Sequence, residues 1–324
     1  ILKITVTVGV IKIELDGFKM INYKDRFDCI SMSIVNCAEY LKFNYQMYAL
    51  GKWQFSFADN DDLGEGLQPY KIRKTDALKR FHNVETVKLK NRGYNLGYVI
   101  KEILDEKTPV VVETDLYECE WTQGYQKYHF PHFFIIKGIE NEKFIVCDSF
   151  FNKDNIQIDI TQFVCKIIEI RYFVPDSEKM FNKLMVKEEL LKDIYDYKNY
   201  GMSSEIICFA DKLYNWEGID KLTEQYSDGE SMFPLADNIR IFMTNRLSYI
   251  EMIKYLQNNS GCDFDVSVRL AEQCVTSWRM LRIIILKNIM CGNENKNDVR
   301  KQFQKIALEE DEFISCFEKE CLRL

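Results

Sequence analysis

The chain has 324 residues, 47% of them apolar and 14% aromatic, enough to bury a core in two domains or in one large one. A net charge of −7 argues against a general nucleic-acid surface, and no apolar run reaches the length of a membrane span. The eleven cysteines are scattered without a CxxC pair, which suits neither a disulfide framework nor a zinc site. A reduced cytoplasmic protein with no metal and no bound cofactor is expected.

Ile1 to Val8 alternates like a strand and lacks the charged start and long apolar run of a signal peptide. Residues 1–20 read as two short strands around Gly9 and Gly17, and residues 21–28 as a loop. A helix is expected from about 28 to 43, with Asp28 as its N-cap and Ile30, Ile34, Ala38 and Leu41 as one apolar face. Cys29 therefore falls in the first turn, where unpaired N–H groups and the macrodipole favour a thiolate. Its alternative is a buried structural cysteine, which suits most of the others.

Residues 45–75 mix aromatics with the acidic loop Asp59-Asn60-Asp61-Asp62-Leu63-Gly64-Glu65-Gly66, whose spacing departs from a calcium-binding EF-hand. Residues 77–105 read as helical, with His82 on the surface. Pro109-Val110-Val111-Val112-Glu113-Thr114 reads as a buried strand. Tyr117, Trp121, Tyr125 and Tyr128 lie in an aperiodic stretch that reads as a loop. With Phe133 they are candidates to line a substrate site, or else rings that fill the core.

From Pro131 to Asp148 the pattern is strand, turn, strand, with Glu140-Asn141-Glu142-Lys143 as the turn. His132 opens the first strand and Asp148 closes the second, so plain antiparallel pairing is expected to bring them together. A base and its orienting carboxylate need that arrangement: the aspartate fixes the tautomer and leaves the other ring nitrogen for a nucleophile. His129 lies just before the strand and is the weaker candidate. Two more strand-like runs, Ile156 to Ile160 and Lys166 to Phe173, lead to a boundary at Pro175-Asp176. Beyond about 180 the pattern is helical, including Val268 to Met290 and Gln302 to Leu322, with the acidic run 309–312 as a solvated face. The expected fold is α+β, with a catalytic domain over 1–176 built on an antiparallel sheet and an all-helical domain over 177–324. The expected catalytic residues are Cys29, His132 and Asp148.

The order Asp28-Cys29, Pro131-His132 and Cys147-Asp148 resembles the papain-like enzymes of the double-glycine leader peptidase type. The two-part build is similar to the butirosin biosynthesis protein H family. That resemblance implies a papain-like fold and a cysteine acyltransferase of natural-product biosynthesis. It would take an acyl group from the phosphopantetheine thioester of an acyl or peptidyl carrier protein and join it to a small amine such as a diamine, with no nucleic acid and no membrane involved. The leader peptidases place an oxyanion-hole glutamine six residues before the cysteine. Here Tyr23 holds that position with Asn22 beside it, so the donor is Asn22, Tyr23 or only the Cys29 backbone N–H. Lys71, Arg73, Lys74, Lys79 and Arg80 are the candidate basic patch for the carrier. A cytosolic papain-like peptidase or amidase with the same residues is the alternative, and a binding protein with an idle site is another.

Overall fold

The computed structural model describes residues 12–22, 27–58, 63–67, 77–93, 95–176, 181–215, 234–291 and 295–324. They form two compact units. One comprises the described residues of 12–22, 28–45 and 83–176; the other comprises Phe27 and the described residues of 46–82 and 181–324.

The first unit is a mixed α/β layer with an antiparallel sheet of seven strands. These are β1 (Lys12–Glu14), β2 (Val84–Lys90), β3 (Val110–Asp115), β4 (Pro131–Glu140), β5 (Lys143–Asp148), β6 (Lys153–Asp159) and β7 (Ile167–Pro175). Their order is β2-β7-β3-β4-β5-β6, and β1 pairs with β4 beyond the end of β3. Valine runs in β3 and Phe134-Ile135-Ile136 in β4 supply the buried centre, as β-branched and aromatic residues do on a pleated surface. Helix α1 (Cys29–Leu41) packs against β4.

The β4–β5 turn has the expected position. Asn141 and Glu142 form a two-residue loop, both with left-handed φ (50° and 62°), the primed geometry that matches strand twist. Gly138 has a packing reason: a Cβ there would lie 2.6 Å from the Ile13 carbonyl oxygen, so only glycine lets β1 lie against β4.

Two expectations change in this part of the chain. Residues 77–105 are not one helical stretch. Helix is confined to Ala77–His82 and Leu96–Asp105, and β2 lies between them. Val84-Glu85-Thr86-Val87-Lys88-Leu89-Lys90 has a period of two, and its lysines suit an edge strand paired on one side only, to β7. The described residues of 46–82 also fall in one unit with the C-terminal helices.

The cause is apolar. Trp53 stacks on Phe313 at 3.9 Å and Phe55 on Phe242 at 5.0 Å, inside a core built by helices Pro234–Ser260, Asp265–Cys291 and Lys296–Cys321. His82 is buried there, not exposed, and its Nε2 accepts from the Met47 N–H at 3.2 Å. At the centre Arg246 makes a two-point ion pair with Glu310, with Nε–Oε1 and Nη2–Oε2 both 2.9 Å. The Trp278 indole donates to the same carboxylate at 2.6 Å, and Arg246 Nη1 reaches the Gln54 carbonyl at 3.2 Å. Of the expected basic patch, Arg80 is ion-paired with Glu189 at 2.8 Å, while Lys71, Arg73 and Lys74 lie outside the described residues, as do residues 59–62 of the acidic loop and the strands expected over 1–11. Among the described residues no helix is long and apolar enough to cross a membrane.

Removing one member of the Arg246–Glu310 pair strands a buried charge. Arg246→Met is expected to lower stability by about 3–5 kcal/mol, read from urea unfolding, and adding Glu310→Leu to restore part of that loss. A single variant with wild-type stability would contradict this account.

Candidate active site

Helix α1 delivers Cys29. Asp28 caps it through Oδ1, which accepts from the Ser31 N–H at 2.7 Å, so Cys29 is the first helical residue. The helix is buried on every side from Ser31 to Ala38, with Ile30 and Leu41 only half-buried, so the single apolar face read from its spacing is too narrow. Its polar side chains are satisfied internally. Ser33 Oγ donates to the Cys29 carbonyl at 3.0 Å. Asn36 donates to the carbonyls of Met32 (2.9 Å) and Ile21 (3.0 Å) and accepts from the Ile21 N–H (2.7 Å), clamping the segment before the cysteine. Of the expected oxyanion donors, Asn22 follows this clamp and is exposed; Tyr23 lies outside the described residues.

Strands β4 and β5 deliver the other two groups, though not by plain pairing. The register runs Glu140↔Lys143 to Gly138↔Ile145, then shifts so that Ile136 meets Val146 and Ile135 meets Cys147. Lys137 is the extra residue of a β-bulge. Without it, the register would set Asp148 opposite Ile135, on the other face from His132. With it, Asp148 falls opposite Phe134 and on the same face as His132, since paired residues share a face and alternate residues return to it. His132 Nε2 and Asp148 Oδ2 are then 2.7 Å apart across the diagonal, 3% and 0% exposed. The expected pair is present, but the bulge, not simple register, makes it.

The Cys29 side chain lies close enough to the His132 ring to act on its protonation. Nε2 is engaged by Asp148, which leaves Nδ1 for the sulfur. Burial works against a charged imidazole here, but the Asp148 carboxylate outweighs it by charge and hydrogen bond, and Cys29 adds to it, so the His132 pKa is pushed up to about 10. Three other thiols lie buried in this unit: Cys37, Cys119 and Cys147. Burial pushes each of them well up, with Asp148 and Asp115 adding at Cys119 and Asp154 at Cys147. Cys29 is half-exposed and close enough to the His132 imidazole to raise its pKa, which separates it from them.

His129 has a carboxylate of its own. Its Nδ1 lies 2.7 Å from Asp115 Oδ2, its ring stacks on Tyr117 at 4.4 Å, and its side chain is 73% exposed. Asp115 Oδ1 accepts from the N–H groups of Tyr117 and Phe130, and Leu116 N–H donates to the Phe130 carbonyl at 2.8 Å. The pair thus ties the neck of the 116–130 loop.

The rings expected to line the site divide. The Trp121 indole Nε1 donates to Asp148 Oδ2 at 2.7 Å, and its ring meets Phe134 edge-on at 5.2 Å. It holds the carboxylate instead of lining a substrate space. Phe133 faces the opposite side of the sheet, under the Arg171 guanidinium at 4.9 Å, where Arg171 also pairs with Glu113 and Glu169. Strand alternation from His132 requires this, so Phe133 is withdrawn from the site. Tyr125 and Tyr128 bond within their own loop, Tyr125 Oη to Gln126 Nε2 at 3.2 Å and Tyr128 N–H to the Gly124 carbonyl at 3.1 Å.

The rings against His132 are instead Phe151 (5.2 Å) and Phe150 (6.1 Å), which the sequence reading passed over. Their place directly after Asp148 was the available signal. Asn36 was also missed, although a lone amide among apolar helical residues marks a buried partner.

No protein-family model matches the chain, and no curated protein matches it significantly. With limiting iodoacetamide at neutral pH, Cys29 is expected to label at least about tenfold faster than the exposed Cys165 and Cys208, as an imidazole-paired thiol should. Peptide mass spectrometry reads the order, and labelling of Cys165 or Cys208 ahead of Cys29 would remove it as the nucleophile.

Proposed function

We propose that this chain is a papain-like cysteine acyltransferase of the cytoplasm that forms amides through an acyl-Cys29 intermediate. One observation carries the reading: a buried imidazole hydrogen-bonded to a buried carboxylate, with a half-exposed helix-terminal thiol near enough to act on that imidazole. Cys29 is the nucleophile, His132 the acid–base group and Asp148 the orienting group.

In the first half-reaction the Cys29 sulfur, its proton held by His132, attacks the carbonyl carbon of a thioester. A carbon–sulfur bond to Cys29 forms, the bond to the donor sulfur breaks, and His132 protonates the departing thiol. The step exchanges one thioester for another and is nearly balanced in energy, so orientation and oxyanion stabilisation decide its rate. The Cys29 backbone N–H, at the helix N-terminus, is suited to face the oxyanion, with Asn22 as a second candidate. In the second half-reaction an amine attacks the acyl-enzyme. The carbon–nitrogen bond forms, His132 takes the proton from nitrogen, and Cys29 leaves. This half runs downhill, because an amide is more stable than a thioester. Phe150 and Phe151 beside His132 limit water at the acyl-enzyme stage.

The resemblance of the Cys29, His132 and Asp148 motifs to the butirosin biosynthesis protein H family, and to the amide-forming enzyme of closthioamide assembly within it, supports the choice of donor and acceptor. The donor is an acyl or peptidyl group on the phosphopantetheine of a carrier protein; the acceptor is a small amine, such as a diamine, in nonribosomal peptide-type biosynthesis.

Incubation with an acylated carrier protein is expected to give a mass adduct on the chain that is absent in Cys29→Ala, and added diamine is expected to discharge it as an amide. Discharge by water at a rate indifferent to amine would instead indicate a peptidase or amidase. His132→Ala is expected to slow transfer by roughly a thousandfold or more. The pH profile has a stated sign. The imidazolium that protonates the leaving thiol is present below the raised pKa, so kcat/KM should fall as pH rises through about 10. A fall centred near the ordinary histidine value would contradict the Asp148 pairing.

A further inference from the structure

We infer that Trp121 is a positioning residue for the Cys29–His132 pair, because its indole N–H shares the one Asp148 oxygen that holds the imidazole. The inference deepens the acyl-transfer reading of Cys29, His132 and Asp148 and rests on it for its functional meaning.

Three donors converge on Asp148. Oδ1 accepts from the Phe151 N–H at 3.2 Å, while Oδ2 accepts from both His132 Nε2 and Trp121 Nε1, each at 2.7 Å. Two charge-assisted hydrogen bonds on one oxygen fix its direction and divide its charge between them. An indole offers only a donor, so Trp121 cannot substitute for the carboxylate; it can only aim and temper it.

The indole is itself held. Its ring lies edge-on to Phe134 at 5.2 Å and near Phe163 at 6.3 Å. Its backbone belongs to the 116–130 loop, which is closed at the neck by Leu116–Phe130 and by Asp115, and packed inside by Gly124 against Leu116. A Cβ at Gly124 would come within 2.7 Å of Leu116, so the loop closes tightly there. The titratable groups that act on His132 are Asp148 from β5 and Cys29 from α1; Cys119 beside them is a buried thiol pushed well up by burial and the nearby carboxylates. With the indole donor in place, Asp148 shares its charge. With the donor gone, the whole of Oδ2 falls to the imidazolium, which then keeps its proton to higher pH and gives it up to a leaving thiol less readily.

The experiment is NMR on the full-length chain labelled with 15N in histidine and tryptophan. Three histidines and four tryptophans keep the spectra assignable by substitution. In the wild-type protein the Trp121 indole N–H resonance is expected to move with the same midpoint as the His132 ring. In Trp121→Phe the His132 midpoint is expected to rise, by about three- to tenfold in proton affinity, the effect of losing one hydrogen bond to a charged group. Phe163→Leu, which loosens the packing of the indole ring but keeps its N–H, is expected to leave the His132 midpoint in place.

An indole resonance indifferent to His132 titration would overturn the inference, and so would a Trp121→Phe midpoint equal to or below that of wild type. The wild-type arm needs no variant to fold. None of these readouts depends on turnover. Coupled titration without amide formation would sink acyl transfer alone, and amide formation with an indifferent indole would sink the role of Trp121 alone.

Discussion

A carboxylate with no solvent contact governs the candidate site. Asp148 is fully buried, and burying an anion is costly unless donors surround it. Here they come from three different places: the His132 ring from β4, the Trp121 indole from the 116–130 loop, and the Phe151 backbone from the turn after β5. Each donor must be in place for the others to be well aimed, so the local fold and the local chemistry are one constraint. The raised His132 pKa follows from that constraint, since an imidazole surrounded by apolar rings would otherwise lose its proton more easily than in water.

The same logic recurs in the helical unit with a different outcome. Arg246 and Glu310 are both buried, aligned at two points, and supplemented by Trp278 and the Gln54 carbonyl. The rings of Trp53, Phe242 and Trp278 face the guanidinium at 5.1 to 5.5 Å. The thiol beside this cluster, Cys274, is buried and pushed well up by burial and by the Glu310 charge, so the cluster is a packing device: it holds residue 54 and three helices to one geometry. Buried charge alone therefore does not mark a reactive site. What distinguishes the Asp148 cluster is a half-exposed thiol close enough to its imidazole to act on it.

The corrections share a physical origin. Period-two and period-3.6 patterns report which side chains are buried, not what covers them. Residues 46–82 carry Trp53 and Phe55, and nothing local to those residues says that the covering surface is supplied by helices far along the chain. His82 was placed on the surface because its neighbours are polar, yet it is buried against Met47. Trp121 and Phe133 were grouped because both are aromatic and close in sequence. The pleat of β4 sends Phe133 to the opposite face, and the loop turns the Trp121 indole to a carboxylate.

Local chemistry was enough to mark the N-cap at Asp28, the helix-first Cys29, the Asn141-Glu142 turn and the strands on either side of it, because capping, turn geometry and β-branched alternation are properties of a few adjacent residues. The helical character beyond residue 180 was legible for the same reason. The meeting of His132 with Asp148 was expected from the hairpin and is present, but its cause was not legible, because a single extra residue, Lys137, shifts the register and moves Asp148 from one face of the sheet to the other. Whether a strand carries a bulge depends on how its neighbours pair, and β4 answers to β1, β3 and β5 at once. The sequence by itself determined which groups could react; only the tertiary structure decided which of them meet, since a one-residue change of register leaves every local preference satisfied and reverses which side chains share a face.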